Sequence, residues 1–159
     1  MIRVLFVCLG NICRSPSAEG VFRALVNEQG LSDRISADSC GTSTWHIGSP
    51  PDNRARGEAK RRGISIDGLR ARALKPDDFD IFDYILAMDS SNLLNLEATC
   101  PDVHRVKVRL LLEFAPGHPE REVPDPYYGG AEGFAQVFDM IDAAAAGLLA
   151  DIQRRHLGN

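Results

Sequence analysis

Apolar residues open the chain as a near-continuous run, Ile2 to Val7, rich in β-branched side chains. Such a run predicts a strand buried on both faces. It breaks at once into the polar, glycine-containing stretch Cys8 to Ser15, and then Pro16-Ser17-Ala18-Glu19 begins a helix expected to reach about Gly30. Proline suits a first helical turn because its missing N–H would have no partner there, and Glu19 suits the positive helix end. Further strands are predicted at Ile35 to Ser39, Tyr84 to Met88 and Val103 to Val108. Arg54 to Arg62, with Glu58 at helical spacing, reads as a solvated helix face ending near Gly63, and Asp89-Ser90-Ser91-Asn92 offers oxygens that cap another helix.

From Ala131 to about Arg155, Phe134, Val137, Phe138, Ile141, Leu148 and Ile152 recur at three and four, the spacing of a helix packed along one face. Strands alternating with helices predict an α/β fold: a single three-layer domain over residues 1–159, with a central four-stranded parallel sheet and helices on both faces. In such sheets ligands bind at the C-terminal strand edge, which is where the loop after the first strand lies.

Composition narrows the functions. A formal charge of -4 gives no general basic surface for nucleic acid. No stretch reads as a membrane span, and the short apolar start reads as a strand rather than a signal peptide, so a cytoplasmic location is expected. Four cysteines, Cys8, Cys13, Cys40 and Cys100, lack metal-ligand spacing and are expected as free thiols, with no metal and no other cofactor. His46, His104, His118 and His156 form no ligand pattern and are assigned to the surface.

The chemistry concentrates in Cys8-Leu9-Gly10-Asn11-Ile12-Cys13-Arg14-Ser15, where five residues separate a cysteine from an arginine followed by a hydroxyl. A loop between a strand and a helix N-terminus turns successive N–H groups inward as a nest for a tetrahedral dianion, with Gly10 and Asn11 accepting left-handed angles. Arg14 would clamp phosphate with two parallel hydrogen bonds. The same positive field favours the thiolate of Cys8, an attacking nucleophile, and Ser15 would assist its departure. Expelling an alkoxide or phenolate calls for a proton donor, and Asp125 is the candidate, on a loop beside Tyr127 and Tyr128. With Trp45, these tyrosines would wall a cleft deep enough to prefer a phenyl ring over serine.

At Cys8 to Pro16, Ser43-Thr44-Trp45 and Asp125-Pro126-Tyr127-Tyr128 the chain resembles the low-molecular-weight protein tyrosine phosphatase family. The resemblance implies a phosphocysteine intermediate, with Cys8 as nucleophile, Arg14 as clamp and Asp125 as acid and then base. It also implies Asn11, Ser15 and Ser39 as loop supports and Trp45, Tyr127 and Tyr128 as cleft walls. Partners would be phosphotyrosine proteins, tyrosine kinases among them, with phosphate and other oxyanions as inhibitors and neither nucleic acid nor membrane engaged. Relatives acting on phosphoarginine commonly carry threonine at the position of Ile12, which favours phosphotyrosine. Cys13 matches a second loop cysteine that pairs reversibly with the nucleophile in oxidised relatives. Two positions depart from the family pattern: Leu69 stands where many members have histidine, and Cys40 replaces a small residue. Arsenate reduction or phosphoarginine hydrolysis on the same fold and non-catalytic phosphotyrosine binding are the rival readings.

Overall fold

The computed structural model describes residues 1–158. Four parallel strands, β1 (Ile2–Cys8), β2 (Ile35–Gly41), β3 (Tyr84–Ala87) and β4 (Val108–Leu110), form one sheet in the order β2-β1-β3-β4. Central β1 pairs with β2 from Ile2 opposite Ile35 to Cys8 opposite Gly41, and with β3 from Val4 opposite Tyr84 to Val7 opposite Ala87. Being flanked on both edges, it is also covered on both faces, and its alternate side chains feed two separate cores.

Val4 and Phe6 point to one face, where helices α1 (Arg14–Glu28), α2 (Asn53–Arg61) and α5 (Ala131–His156) pack. Leu5 and Val7 point to the other, against Phe79 and Phe82 from around α3 (Asp78–Ile81) and Leu96 of α4 (Ser90–Thr99). α5 lies close enough that a Cβ on Gly147 would sit 1.8 Å from the Phe114 carbonyl oxygen, so this crossing admits only glycine. By length and mean hydropathy (1.3), Glu132–His156 passes for a membrane span, which inspection of apolar runs did not anticipate. Its Phe134, Val137, Phe138, Ile141 and Leu148 are instead buried in the first core.

Two expectations need correction. Val103 to Val108 is not a strand: Asp102–Lys107 forms 3₁₀ turns and pairing begins only at Val108. Val103 and Val106, three apart, share one exposed side of the tight turn, while Lys107 Nζ donates to the carbonyls of Phe79 (2.8 Å) and Asp80 (3.4 Å). The arginines of α2 are also not merely solvated. Arg62 bridges Glu58 (2.7 Å) to Asp139 (2.9 Å) and Asp142 (3.0 Å) of α5, fastening the two helices together.

Candidate active site

Cys8 closes β1 at the C-terminal edge of the sheet and is buried to 2 % exposure. The following loop returns to α1, whose N-cap, Cys13, makes no side-chain cap. The first turn of α1 therefore offers its N–H groups to whatever anion enters. β2 runs directly beneath: Thr42 N–H donates to the Cys8 carbonyl and Ser43 N–H to that of Leu9, both at 2.9 Å. A Cβ on Gly41 would meet the Leu9 carbonyl oxygen at 2.7 Å, so the loop can rest on β2 only where there is no side chain.

Of the two residues expected to accept left-handed angles, Asn11 adopts one, at φ 58°, the one non-glycine residue among those described to do so, and Gly10 does not. Its amide is fully engaged. Nδ2 donates to Ser15 Oγ (2.8 Å) and Ser39 Oγ (2.9 Å), and Oδ1 accepts from Arg72 N–H (3.0 Å). Ser39 Oγ in turn donates to Glu19 Oε1 at 2.7 Å. Glu19 is therefore not an exposed helix-end charge but a buried anchor, whose carboxyl burial pushes above the usual range against the opposing Ser39 hydrogen bond and the Arg23 guanidinium.

These bonds converge on sulfur. Ser15 Oγ, already accepting from Asn11, has two acceptors within reach of its single proton, Cys8 Sγ at 3.0 Å and the Cys40 carbonyl at 3.4 Å, and a thiolate at Cys8 is the closer and the charged one. Asn11 N–H also donates to Cys8 Sγ at 3.3 Å. Two polar hydrogens thus meet the nucleophile candidate, which also lines the cleft. Cys13 shares the cleft, and burial, with Asp52, Cys8 and Asp125 nearby, pushes its thiol well above the ordinary range, keeping it protonated.

Arg14 is 2 % exposed and tightly held. Nη1 donates to Asp89 Oδ2 at 2.6 Å and to the Val123 carbonyl at 3.0 Å, while Nη2 lies 3.7 Å from Asp125 Oδ2. Asp89 serves twice: Oδ1 caps α4 by accepting from Asn92 N–H (2.8 Å), as its sequence context predicts, and Oδ2 orients Arg14, which it does not. Asp125 Oδ1 accepts from Tyr127 N–H at 3.0 Å, an Asx turn that presents the carboxyl at the cleft rim.

The cleft is open to solvent, with the buried residues Cys8, Ile12 and Arg14 lining its floor. Trp45, Tyr127 and Tyr128 wall it as anticipated, and His46, assigned from sequence to the general surface, joins them. Tyr127 and Tyr128 stand edge to face at 5.0 Å, and Tyr128, 93 % exposed, forms the outer lip. Among the described residues no group of three His, Cys, Asp or Glu is placed to hold a metal ion. Every sequence-predicted site residue lies in this cleft or in the network beneath it.

Fold and site together define a doubly wound α/β protein with an oxyanion loop and a cysteine at its centre. Residues 3–157 match the family model described as low molecular weight phosphotyrosine protein phosphatase. A relative of that name from Schizosaccharomyces pombe is 51 % identical over 138 residues, covering 86 % of this chain and 88 % of its own. The crystal structure of a protein tyrosine phosphatase from Entamoeba histolytica, with Hepes in the active site, aligns with TM-score 0.94 at 39 % identity, covering 97 % of this chain and 98 % of that one. A Drosophila arginine phosphatase aligns with TM-score 0.87 at 35 % identity over 96 % and 98 % of the two chains. The chain belongs to the low molecular weight phosphotyrosine protein phosphatase family.

Proposed function

We propose that this protein hydrolyses phosphotyrosine in proteins through a phosphocysteine at Cys8. The observation that carries the reading is one cleft lined together by Cys8, the uncapped N-terminus of α1, Arg14 and Asp125, with the Asp125 carboxyl 3.7 Å from the Arg14 guanidinium. Phosphate oxygens sit in the N–H nest and on Arg14, which places phosphorus in line with the sulfur. The Cys8 thiolate forms the S–P bond as the P–O bond to the phenol breaks, and Asp125 gives its proton to the departing oxygen. In the second step the Asp125 carboxylate takes a proton from water, whose oxygen attacks phosphorus. The S–P electron pair returns to Cys8, where the Ser15 hydroxyl and Asn11 N–H receive the charge.

The aromatic walls and the Ile12 side chain in the floor support a phenyl ring as the group carried into the cleft. Phosphotyrosine proteins, tyrosine kinases among them, are then the partners, with phosphate and other oxyanions as competitors for the loop. Cys13 protects the nucleophile after oxidation by forming a disulfide with it. A reducing compartment, the cytoplasm, suits a nucleophile that must stay a free thiol, and all four cysteines are free.

The test is phosphate release from phosphotyrosine, phosphoserine and phosphoarginine peptides in EDTA, with Cys8→Ser as control. Release from phosphotyrosine that needs Cys8 and no metal supports the reading. Preference for phosphoarginine would transfer it to the activity named for the Drosophila neighbour, and tight phosphotyrosine binding without turnover would make the chain a binding module. Arsenate reduction at the expense of thiols, with no phosphatase turnover, would replace it altogether.

A further inference from the structure

Asp52 and Arg54, at the start of α2, stand between the two halves of the site. Asp52 N–H donates to the carbonyl of Ile12 at 2.8 Å, fastening the N-cap of α2 to the phosphate loop. The Asp52 carboxylate holds Arg54 through Nε (3.1 Å) and Nη2 (3.1 Å). From there the guanidinium crosses to the acid-bearing loop, Nη2 donating to the Tyr127 carbonyl (2.8 Å) and Nη1 to that of Gly129 (2.9 Å). It also lies over the Phe134 ring at 4.8 Å, which fixes its plane.

Tyr127 is where this strut reaches the chemistry. Its N–H orients Asp125 Oδ1 at 3.0 Å, and its carbonyl is gripped by Arg54. We propose that Arg54 is a positioning residue for the Asp125 acid, setting its carboxyl against the Cys8 loop through the rigid path Ile12, Asp52, Arg54, Tyr127. The loop otherwise carries mostly exposed residues and a glycine pair, with Pro126 buried, and its further ties to the body of the protein lie on the near side of Asp125: Val123, through Met88 and Arg14, and Glu122, whose carboxylate accepts from Ser90 N–H. A planar fork with fixed donors spans two carbonyls and a carboxylate at once, which a lysine ammonium cannot do.

This inference rests on Asp125 being the acid, and a double-mutant cycle separates the two ideas. kcat/KM is measured for phenyl phosphate, a poor leaving group, and para-nitrophenyl phosphate, a good one, in wild type, Arg54→Met, Asp125→Ala and the double variant. Arg54→Met should lower kcat/KM about tenfold for phenyl phosphate and much less for para-nitrophenyl phosphate, and should cost nothing further once Asp125 is gone. Inhibition by inorganic phosphate should be unchanged, since the Cys8 loop itself is untouched. Equal loss with both substrates, or the same loss in the Asp125→Ala background, overturns the positioning role. If Asp125→Ala itself shows no leaving-group dependence, it is the acid assignment that fails. Should Arg54→Met not fold, Arg54→Lys, which keeps the charge without the fork, runs the same cycle and decides between the same outcomes.

Discussion

Arg14 and Asp89, seventy-five positions apart in sequence, meet at 2.6 Å beneath the cleft. Because Arg14 is buried, its charge needs a partner, and the direction of that partner decides where its remaining N–H groups point. Asp89→Ala takes away the closest carboxylate of the guanidinium, leaving it the Val123 carbonyl and the more distant Asp125, and removes the α4 cap, worth about 1 kcal/mol by itself. Asp89→Asn keeps the cap and removes the charge. Both should weaken inhibition by inorganic phosphate, about tenfold or more for alanine, while alanine alone lowers Tm markedly. Unchanged phosphate inhibition in both variants would show that Arg14 does not depend on Asp89 for its orientation.

Asn11 combines a left-handed backbone with an amide that joins Ser15, Ser39 and Arg72. Asn11→Gly permits the angle and deletes the bonds; Asn11→Ala deletes both, adding about 1–2 kcal/mol of backbone strain. If the bonds deliver the Ser15 hydroxyl to the sulfur, glycine should lose kcat nearly as fully as alanine, about tenfold or more, with alanine the less stable of the two. Recovery of wild-type kcat in the glycine variant would reduce Asn11 to a conformational role.

The parts legible in sequence were those set by neighbours along the chain. β1 is readable because burial on both faces leaves a near-continuous apolar run, unbroken from Val4, and the Cys8 loop because its chemistry is packed into consecutive residues. Val103 to Val108 misleads because β-branched residues three apart also suit a 3₁₀ turn, and only tertiary contacts choose between them. The bond of Glu19 to Ser39, the second role of Asp89, the grip of Arg54 on Tyr127 and Gly129 and the place of His46 in the cleft carry no local signal, since those partners arrive from other elements. The two departures from the family pattern lie among contacts of the same kind. Leu69 packs half-buried against the first core, three residues before Arg72, whose backbone N–H donates to Asn11 Oδ1. The Cys40 side chain packs with Leu5 and Val7, in the core on the other side of the sheet from Phe6.

Cys13 lies in the same cleft as Cys8, protonated and shielded. In the protective role proposed for Cys13, peroxide would convert the Cys8 thiolate to a sulfenic acid, and attack by the Cys13 sulfur would then expel water and form a disulfide that thiols reduce. Wild type exposed to mild peroxide should regain activity with dithiothreitol. Cys13→Ala should be inactivated at a similar rate but recover little, as the sulfenic acid advances to irreversible states. Equal recovery in both would remove Cys13 from a protective role.

Glu58 links α2 to α5 through the arginine it holds. Hydrogen bonds from Arg62 and Arg61 keep its carboxyl below the ordinary value of 4.5, so the folded state prefers the carboxylate more strongly than the unfolded chain does. For a lowered folded value, the stabilisation is present above the unfolded pKa and is lost as pH falls through the folded one. Glu58→Gln should therefore reduce Tm by roughly 2–4 °C at pH 7, and the gap to wild type should begin to close below about pH 4.5 and disappear at more acid values still. High salt should narrow the gap at pH 7, because the outer partners Asp139 and Asp142 are largely exposed. A gap of constant size across the acid range would mean that Glu58 contributes by packing, and that the clasp between α2 and α5 does not depend on its charge.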